Sequence, residues 1–245
     1  MSAADPRRAL ITGAAGGIGR VLVEVFDAAG FEVIATDSTP RPEGLACAHY
    51  VCADLSRLVS DEVYADGVIA AIRDRLQGNG LHALVNNAAI QVLGGTDSLS
   101  RKDWRITLDV NLLAPFFLTQ ALLQDLSATS GSVVNIGSIH ARLTKKGFVA
   151  YATSKAALAG MTRALAVDLG PRIRVNAIEP AAVETEMLKA GFSMKPERYQ
   201  QLKGFHPQQR IGHPREVARL ALAMVNGGID FLHGACVGLD GGIGS

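Results

Sequence analysis

The chain has 245 residues, and its 24 Lys and Arg against 23 Asp and Glu give a formal net charge of +1. Hydrophobic residues make up 48% and charged residues 19%, a composition typical of a globular protein rather than a disordered one. The near-zero charge argues against a nucleic-acid partner, because a nucleic-acid-binding domain of this size would be visibly basic.

The termini and cysteines favour a cytoplasmic setting with no membrane attachment. The apolar part of the N-terminus is too short for a signal peptide and runs directly into a glycine-rich turn. No run of about 18 uninterrupted apolar residues predicts a membrane span. Cys47, Cys52 and Cys236 form no CxxC pair, which favours a reducing compartment over a disulfide framework.

Short apolar runs alternate with segments of helical period along the whole chain. Seven runs predict strands: Arg8–Thr12, Glu32–Asp37, His49–Asp54, Leu81–Asn86, Ser132–Ser138, Ile173–Ile178 and Ala235–Leu239. The patterns between them predict helices at about 17–29, 58–77, 100–128, 150–169 and 213–226. This alternation predicts an α/β fold, a doubly wound parallel sheet with helices on both faces. No linker divides residues 1–245, so a single domain is expected, with an irregular substrate flap at about 181–212.

A glycine-rich turn follows the first predicted strand and opens the first predicted helix. It contains Gly13, Gly16, Gly17, Ile18 and Gly19 in the spacing GxxxGxG. A dinucleotide pyrophosphate binds at a helix N-terminus through free N–H groups, and glycines allow its close approach. The turn therefore predicts a dinucleotide site, although a tight strand-to-helix turn without a ligand has the same appearance.

Asp37 ends the second predicted strand, 18 residues after Gly19, close to the roughly 20 expected of a carboxylate that binds the adenosine ribose. A carboxylate accepts hydrogen bonds from the ribose hydroxyls of NAD and repels the 2′-phosphate of NADP. Arg41 is close enough in sequence to offset part of that repulsion, and Asp37 also suits a simple turn at a strand end. The sequence favours NAD as the cofactor.

Three further polar residues converge in the predicted fold. Tyr151 and Lys155 are four residues apart on a predicted helix and so share one face. Ser138 closes the preceding strand, at the carboxyl edge of the sheet where ligands of such folds bind. The YxxxK spacing by itself also suits an ordinary helix surface. It indicates a catalytic site only in combination with Ser138 and the glycine turn.

Together these motifs resemble the short-chain dehydrogenase/reductase family. The matching residues are Thr12-Gly13-x-x-x-Gly17-x-Gly19, Asn86-Asn87-Ala88, Asn111, Ser138 and Tyr151-x-x-x-Lys155, in the family's order along the whole chain. The resemblance implies a Rossmann-type seven-stranded fold, a nicotinamide cofactor and a homo-oligomer, tetramer or dimer. It places Asp54, Leu55, Asn87 and Ala88 near the adenine, and Val183 and Thr185 at the carboxamide end. Pro180 matches the family's proline at the cofactor-side turn after the sixth strand. Ala89 and Ala181 depart from the family, which mostly has glycine there.

The same resemblance assigns roles that residue chemistry supports. Tyr151 is the expected general base for alcohol oxidation and the acid for ketone reduction. Its pKa must fall by about 3 units from about 10, which an ammonium about 4 Å away can supply. Lys155 is that ammonium and also holds the nicotinamide ribose, while Ser138 binds the substrate oxygen. Pro115 lacks an N–H and so frees the carbonyl of Asn111 for a water-linked proton path; a plain proline kink is the alternative.

The substrate, a small molecule, is expected to meet Gln91 and His140 as well as Ser138 and Tyr151. Lys145 and Lys146 suit either an anionic substrate or solvated loop charges, and for the acids Glu179 and Glu184 a solvated rim is favoured over a charged contact. No HxxxH or HExxH spacing occurs among the histidines, so no metal site is predicted.

Three activities are compatible with this pattern. The favoured one is NAD-dependent interconversion of a secondary alcohol, sugar or polyol and its ketone. The alternatives are an NADPH-dependent 3-oxoacyl-thioester reductase, which Asp37 disfavours, and a non-catalytic dinucleotide sensor, which would not need Tyr151 and Lys155.

Overall fold

The computed structural model describes residues 5–186, 188 and 196–245. Seven strands form one parallel sheet in the order β3-β2-β1-β4-β5-β6-β7. Their bounds are β1 Arg7–Thr12, β2 Phe31–Asp37, β3 His49–Cys52, β4 Ala83–Asn86, β5 Ser132–Ile136, β6 Arg174–Pro180 and β7 Cys236–Leu239. The predicted seven-stranded Rossmann-type fold is confirmed, with strand ends shifted by at most two residues.

Nine α-helices have their bounds within those residues: α1 Gly17–Ala28, α2 Leu55–Ser60, α3 Glu62–Leu76, α4 Arg101–Leu108, α5 Ala114–Ala121, α6 Leu123–Ser127, α7 Val149–Leu169, α8 Pro196–Gly204 and α9 Pro214–Val225. Successive strand residues point to opposite faces of the sheet, so β1 contributes side chains to two apolar layers. Ile11 packs with Phe26 of α1 and Met224 of α9 on one face. Leu10 packs with Ile72 of α3 on the other, where α5 and α7 also lie.

Two of the predicted helices are interrupted, and the breaks before α3 and before α5 have local causes. The helix predicted at 58–77 is replaced by α2 and α3, because Asp54 caps α2 and the Asp61 carboxylate caps α3 by accepting a hydrogen bond from the Tyr64 amide. The helix predicted at 100–128 is divided by a π-helical turn at Asp109–Leu113, just before Pro115, which has no N–H for a regular ladder.

The strand order places a crevice at the carboxyl ends of β1 and β4. The chain leaves β1 towards β2 and β3 on one side and resumes at β4 on the other. Ligands of open α/β sheets bind at such a reversal point. The first residues of α1 and the segment after β4 meet there.

The predicted flap at 181–212 is described in part. Its residues 187 and 189–195 lie outside the described residues, and α8 occupies its second half. Among the described helices none combines the length and apolarity that a membrane crossing needs.

Candidate active site

The glycine turn is shaped by close approaches of the backbone. Gly13 has φ +66°, and a Cβ there would lie 2.7 Å from the Cα of Ala88. A Cβ on Gly19 would lie 1.9 Å from the carbonyl oxygen of Gly13, and one on Gly17 would lie 2.9 Å from the Cβ of Thr185. Three of the glycines are therefore required by the chain itself. Gly16 has more room, because its nearest neighbour would be 3.4 Å away.

The N-terminus of α1 fits an anion. Gly16 is its N-cap residue and offers no side-chain cap, and the first turn of α1 holds no acidic residue. The amides of that turn, including that of Ile18, therefore have no side-chain acceptor from a cap, in contrast to α2 and α3. Thr185 packs over Gly17, so one residue expected at the cofactor lies against another.

Asn87 and Thr12 fix the turn to the end of β4. The Asn87 amide Nδ2 donates to the carbonyls of Thr12 at 2.9 Å and Gly13 at 3.1 Å. The Thr12 hydroxyl accepts hydrogen bonds from the backbone amides of Asn87 and Ala88, each at 3.0 Å. Asn87 and Ala88 thus lie directly beside the glycine turn, where the resemblance places them.

The carboxylate of Asp37 lies at the same turn. Its Oδ2 accepts a hydrogen bond from the Ala15 amide at 2.9 Å, and its Oδ1 accepts one from the Thr39 amide at 3.3 Å. Arg41 does not offset this charge through contact, because its guanidinium donates to the carbonyls of Leu45 and Cys47. The cation near the turn is instead Arg20, whose Nε donates to the Ala15 carbonyl at 3.1 Å, a contact that sequence reasoning missed.

The other residues that are expected to bind the dinucleotide lie at or after the ends of neighbouring strands. Asp54 caps α2, and although burial raises the pKa of its carboxyl, hydrogen bonds from Ser56 and Arg57 outweigh that effect and lower it. Leu55 is buried at the start of α2. Pro180 ends β6, and Val183 is buried beside Gly212, to which it is paired by a β-bridge.

Ser138, Tyr151 and Lys155 come together at the end of β5. Ser138 is buried, and its hydroxyl accepts a hydrogen bond from the His140 amide at 3.2 Å. The Lys155 ammonium donates to the Ile136 carbonyl at 2.8 Å and lies 5.8 Å from the centre of the Tyr151 ring. The predicted grouping of hydroxyl, phenol and ammonium is therefore present in the geometry.

The electrostatics differ from the expectation. Burial raises the pKa of the Tyr151 phenol, and the hydrogen bond with Ser138 offsets this only in part. Burial also lowers the pKa of Lys155 to about 8. In the chain without a cofactor, the pKa of Tyr151 does not fall as expected. The Lys155 ammonium, which was expected to lower it, is bound to the Ile136 carbonyl and is itself desolvated.

Asn111 is fully buried in the π-helical turn and links two elements of the site. Its Nδ2 donates to the Ile90 carbonyl at 2.9 Å and to the Ser154 hydroxyl at 3.0 Å, while its Oδ1 accepts from the Ile90 amide at 2.9 Å. The side chain thus joins the segment after β4 to α7, which carries Tyr151. The expectation of a free carbonyl and a water path stays a prediction.

An aromatic stack stands beside Tyr151. The His140 ring lies 4.4 Å from the Phe148 ring at an interplanar angle of 14°, and edge-on to Tyr151 at 5.8 Å. Burial and the charge of Lys145 lower the pKa of His140, which favours its neutral form. Gln91, the other expected substrate residue, is exposed after β4. Phe148 was missed because its contact with His140 depends on the path of a loop.

The expected solvated rim is wrong for Glu179. Its side chain is 2% exposed, and its Oε2 lies 3.0 Å from the Nε of Arg142. The Nη2 of the same guanidinium lies 3.7 Å from a carboxylate oxygen of Asp240. A carboxylate so buried needs a paired cation, and that partner lies 37 residues away in sequence. Glu184 is also paired: it accepts a hydrogen bond from the Tyr199 hydroxyl and lies 3.3 Å from His213.

Other titratable side chains add no metal cluster in the part of the chain that is described, where no three His, Cys, Asp or Glu are grouped suitably. Lys145 and Lys146 are exposed and line a cavity of about 320 Å³ beside Phe148.

The chain is similar in sequence to known proteins along nearly its whole length. Residues 13–244 match the family model described as enoyl-(acyl carrier protein) reductase. The protein FixR of Bradyrhizobium diazoefficiens is 36% identical over 248 residues, covering 97% of this chain and 87% of that protein. D-threitol dehydrogenase of Mycolicibacterium smegmatis is 32% identical over 250 residues, covering 97% and 93%.

Two solved structures are similar over nearly the whole chain. Aldohexose dehydrogenase of Thermoplasma acidophilum has a TM-score of 0.88 and 30% identity, with 97% of this chain and 94% of that one covered. A candidate 2-deoxy-D-gluconate 3-dehydrogenase of Agrobacterium tumefaciens, with bound NADP, has a TM-score of 0.85 and 31% identity, with 97% and 96% covered.

Proposed function

The chain belongs to the short-chain dehydrogenase/reductase family, and from that membership we propose that it interconverts a small secondary alcohol, sugar or polyol and its ketone, with NAD(H) as the cofactor. The observation that carries the proposal is the grouping of Ser138, Tyr151 and Lys155 at the same edge of the sheet as a glycine turn that fits a dinucleotide. Relatives named as polyol and sugar dehydrogenases support the substrate class.

Within this proposal the dinucleotide is held by the turn and by Asp37. The free amides at the start of α1 bind the pyrophosphate, and the Asp37 carboxylate accepts hydrogen bonds from the adenosine ribose. The bound nicotinamide supplies the hydride acceptor for oxidation and the donor for reduction. Lys155 can also bind the nicotinamide ribose, because its ammonium has three N–H donors and the Ile136 carbonyl accepts a hydrogen bond from only one.

Tyr151 moves the proton. In ketone reduction the phenol donates its proton to the carbonyl oxygen, and its raised pKa keeps that proton in place at neutral pH. In oxidation the phenolate is needed, and added positive charge beside the ring stabilises it. With a pKa of about 8, Lys155 is mostly charged at pH 7 and contributes that charge.

Ser138 and His140 orient the substrate. The Ser138 hydroxyl is buried next to the phenol and donates to the same substrate oxygen, so that the oxygen meets two hydrogen-bonding groups at once. The neutral His140 ring lies beside Tyr151 and offers a hydrogen bond to a neighbouring hydroxyl of a polyol.

Basic side chains at two places favour a second candidate. Arg20 lies at the glycine turn and Lys145 and Lys146 line the cavity near the site, which suits NADPH and an anionic or carrier-linked thioester. A 3-oxoacyl-thioester reductase is therefore the alternative activity.

Turnover of the purified protein separates the two. Secondary alcohols, sugars, polyols and a 3-oxoacyl thioester are each assayed with NAD(H) and with NADP(H). The proposal expects oxidation of at least one alcohol or polyol with NAD. Reduction of the thioester with NADPH, and no reaction of any alcohol with NAD, would refute it in favour of the alternative.

A further inference from the structure

Phe148 separates two spaces in the molecule. One face of its ring stacks on His140 at 4.4 Å, and the ring lies 6.2 Å from that of Tyr151. The Lys145 ammonium lies 4.6 Å from the ring centre. The ring therefore contacts both an imidazole and an ammonium group.

Phe148 also lines a cavity of about 320 Å³. Its walls come from two short segments, residues 95–97 and 144–149, which include Phe148 itself. The phenyl ring is thus a wall shared by this cavity and by the space beside His140 and Tyr151.

The wall is held in place from both sides. The Gly94 amide donates to the Gly147 carbonyl at 2.8 Å, and Gly94 and Phe148 form a β-bridge, so that the two loops are joined at the ring. His140 is fixed in turn by its contacts with Thr144 and Ser138. A ring fixed in this way limits the size of a ligand beside it.

We propose that Phe148 is a specificity-determining residue, whose ring confines the ligand beside Tyr151 to a short chain and closes off the cavity behind it. The inference rests on the proposed function for the identity of the reacting group. When the ring is removed, the cavity joins the catalytic space and accepts the tail of a longer ketone. Two lysines against one aspartate line that cavity, so a negatively charged tail fits it best.

The test measures binding, so it does not depend on turnover. Butanone, 2-heptanone and 6-oxoheptanoate are titrated into the NADH complex in the Tyr151→Phe background, which is expected to bind NADH without reducing the ketone. Dissociation constants are read from the NADH fluorescence. Phe148→Ala is expected to improve the affinity for 2-heptanone relative to butanone by about tenfold or more. The gain in affinity for 6-oxoheptanoate is expected to be larger than the gain for 2-heptanone. Lys145→Gln, combined with Phe148→Ala, is expected to remove this difference.

Val149→Ala is the matched control, because Val149 also lines the cavity but is not the residue stacked on His140. It is expected to leave the ratio of affinities unchanged. Phe148→Leu, which keeps part of the volume, is expected to give an intermediate ratio, and it replaces Phe148→Ala should that variant not fold.

An unchanged ratio in folded Phe148→Ala that still binds NADH overturns the inference, as does an equal change in Val149→Ala. Ketones that bind with the expected shift but are never reduced by the protein that keeps Tyr151 count against the proposed function alone. Ketones that are reduced with no shift in the ratio count against the role of Phe148 alone.

Discussion

Replacement of Asp37 by asparagine removes the charge that is proposed to select NAD and keeps the shape of the side chain. The carboxylate lies at the turn, 2.9 Å from the Ala15 amide. A phosphate charge about 5 Å from it, at an effective dielectric near 20, is repelled by about 3 kcal/mol, or roughly a hundredfold in affinity. Arg20 at the same turn and the surrounding water reduce this. We therefore expect Asp37→Asn to shift the preference towards NADP by tenfold to a hundredfold.

The assay compares kcat/KM, or the dissociation constants, for NAD(H) and NADP(H) in the wild type and the variant. Arg41→Gln is the control, since Arg41 is bound to the Leu45 and Cys47 carbonyls, and it should leave the ratio unchanged. Arg20→Gln should weaken NADP selectively. A ratio in Asp37→Asn within twofold of the wild type would refute the assignment of cofactor selection to this carboxylate.

Three further predictions concern stability. Arg142→Gln leaves the carboxylate of Glu179 buried without its cation, and because Arg142 is half exposed we expect a loss of about 1–3 kcal/mol in urea unfolding, with Glu179→Gln less costly; no loss would contradict the pairing. Gly19→Ala places a Cβ 1.9 Å from a carbonyl oxygen and should cost more than about 2 kcal/mol and abolish NADH binding, whereas Gly16→Ala should unfold like the wild type. Lys155→Met should stabilise the cofactor-free protein by up to about 3 kcal/mol at pH 7, because the pKa of Lys155 is about 8 in the folded protein and 10.5 in the unfolded chain. This gain in stability should vanish as the pH rises from 8 to 10.5. A gain that does not depend on pH would contradict the lowered pKa of Lys155.

The sequence predicted those features that depend on neighbours in the chain. The seven strands follow from their apolar runs, and the glycine turn lies where the pattern places it, after β1. The pair Tyr151 and Lys155 could be placed on one face of a helix because the spacing of four residues is enough to do so.

Features that depend on distant partners were missed or misjudged. Glu179 was expected at a solvated rim because nothing nearby in sequence marks Arg142 as its partner. Lys155 was expected to lower the pKa of Tyr151, but the burial of both groups, which spacing does not report, changes the balance. The division of the helix predicted at 58–77 follows from a single cap at Asp61, which competes with an otherwise continuous pattern.

The variant Tyr151→Phe shows whether Tyr151 carries the proton in a reaction of a bound nicotinamide. NADH binding is measured by fluorescence titration, and turnover is measured with the substrate found in the panel, with Tyr50→Phe as the control. We expect NADH affinity within about twofold of the wild type and turnover reduced by a hundredfold or more. Turnover within tenfold of the wild type in Tyr151→Phe would contradict it.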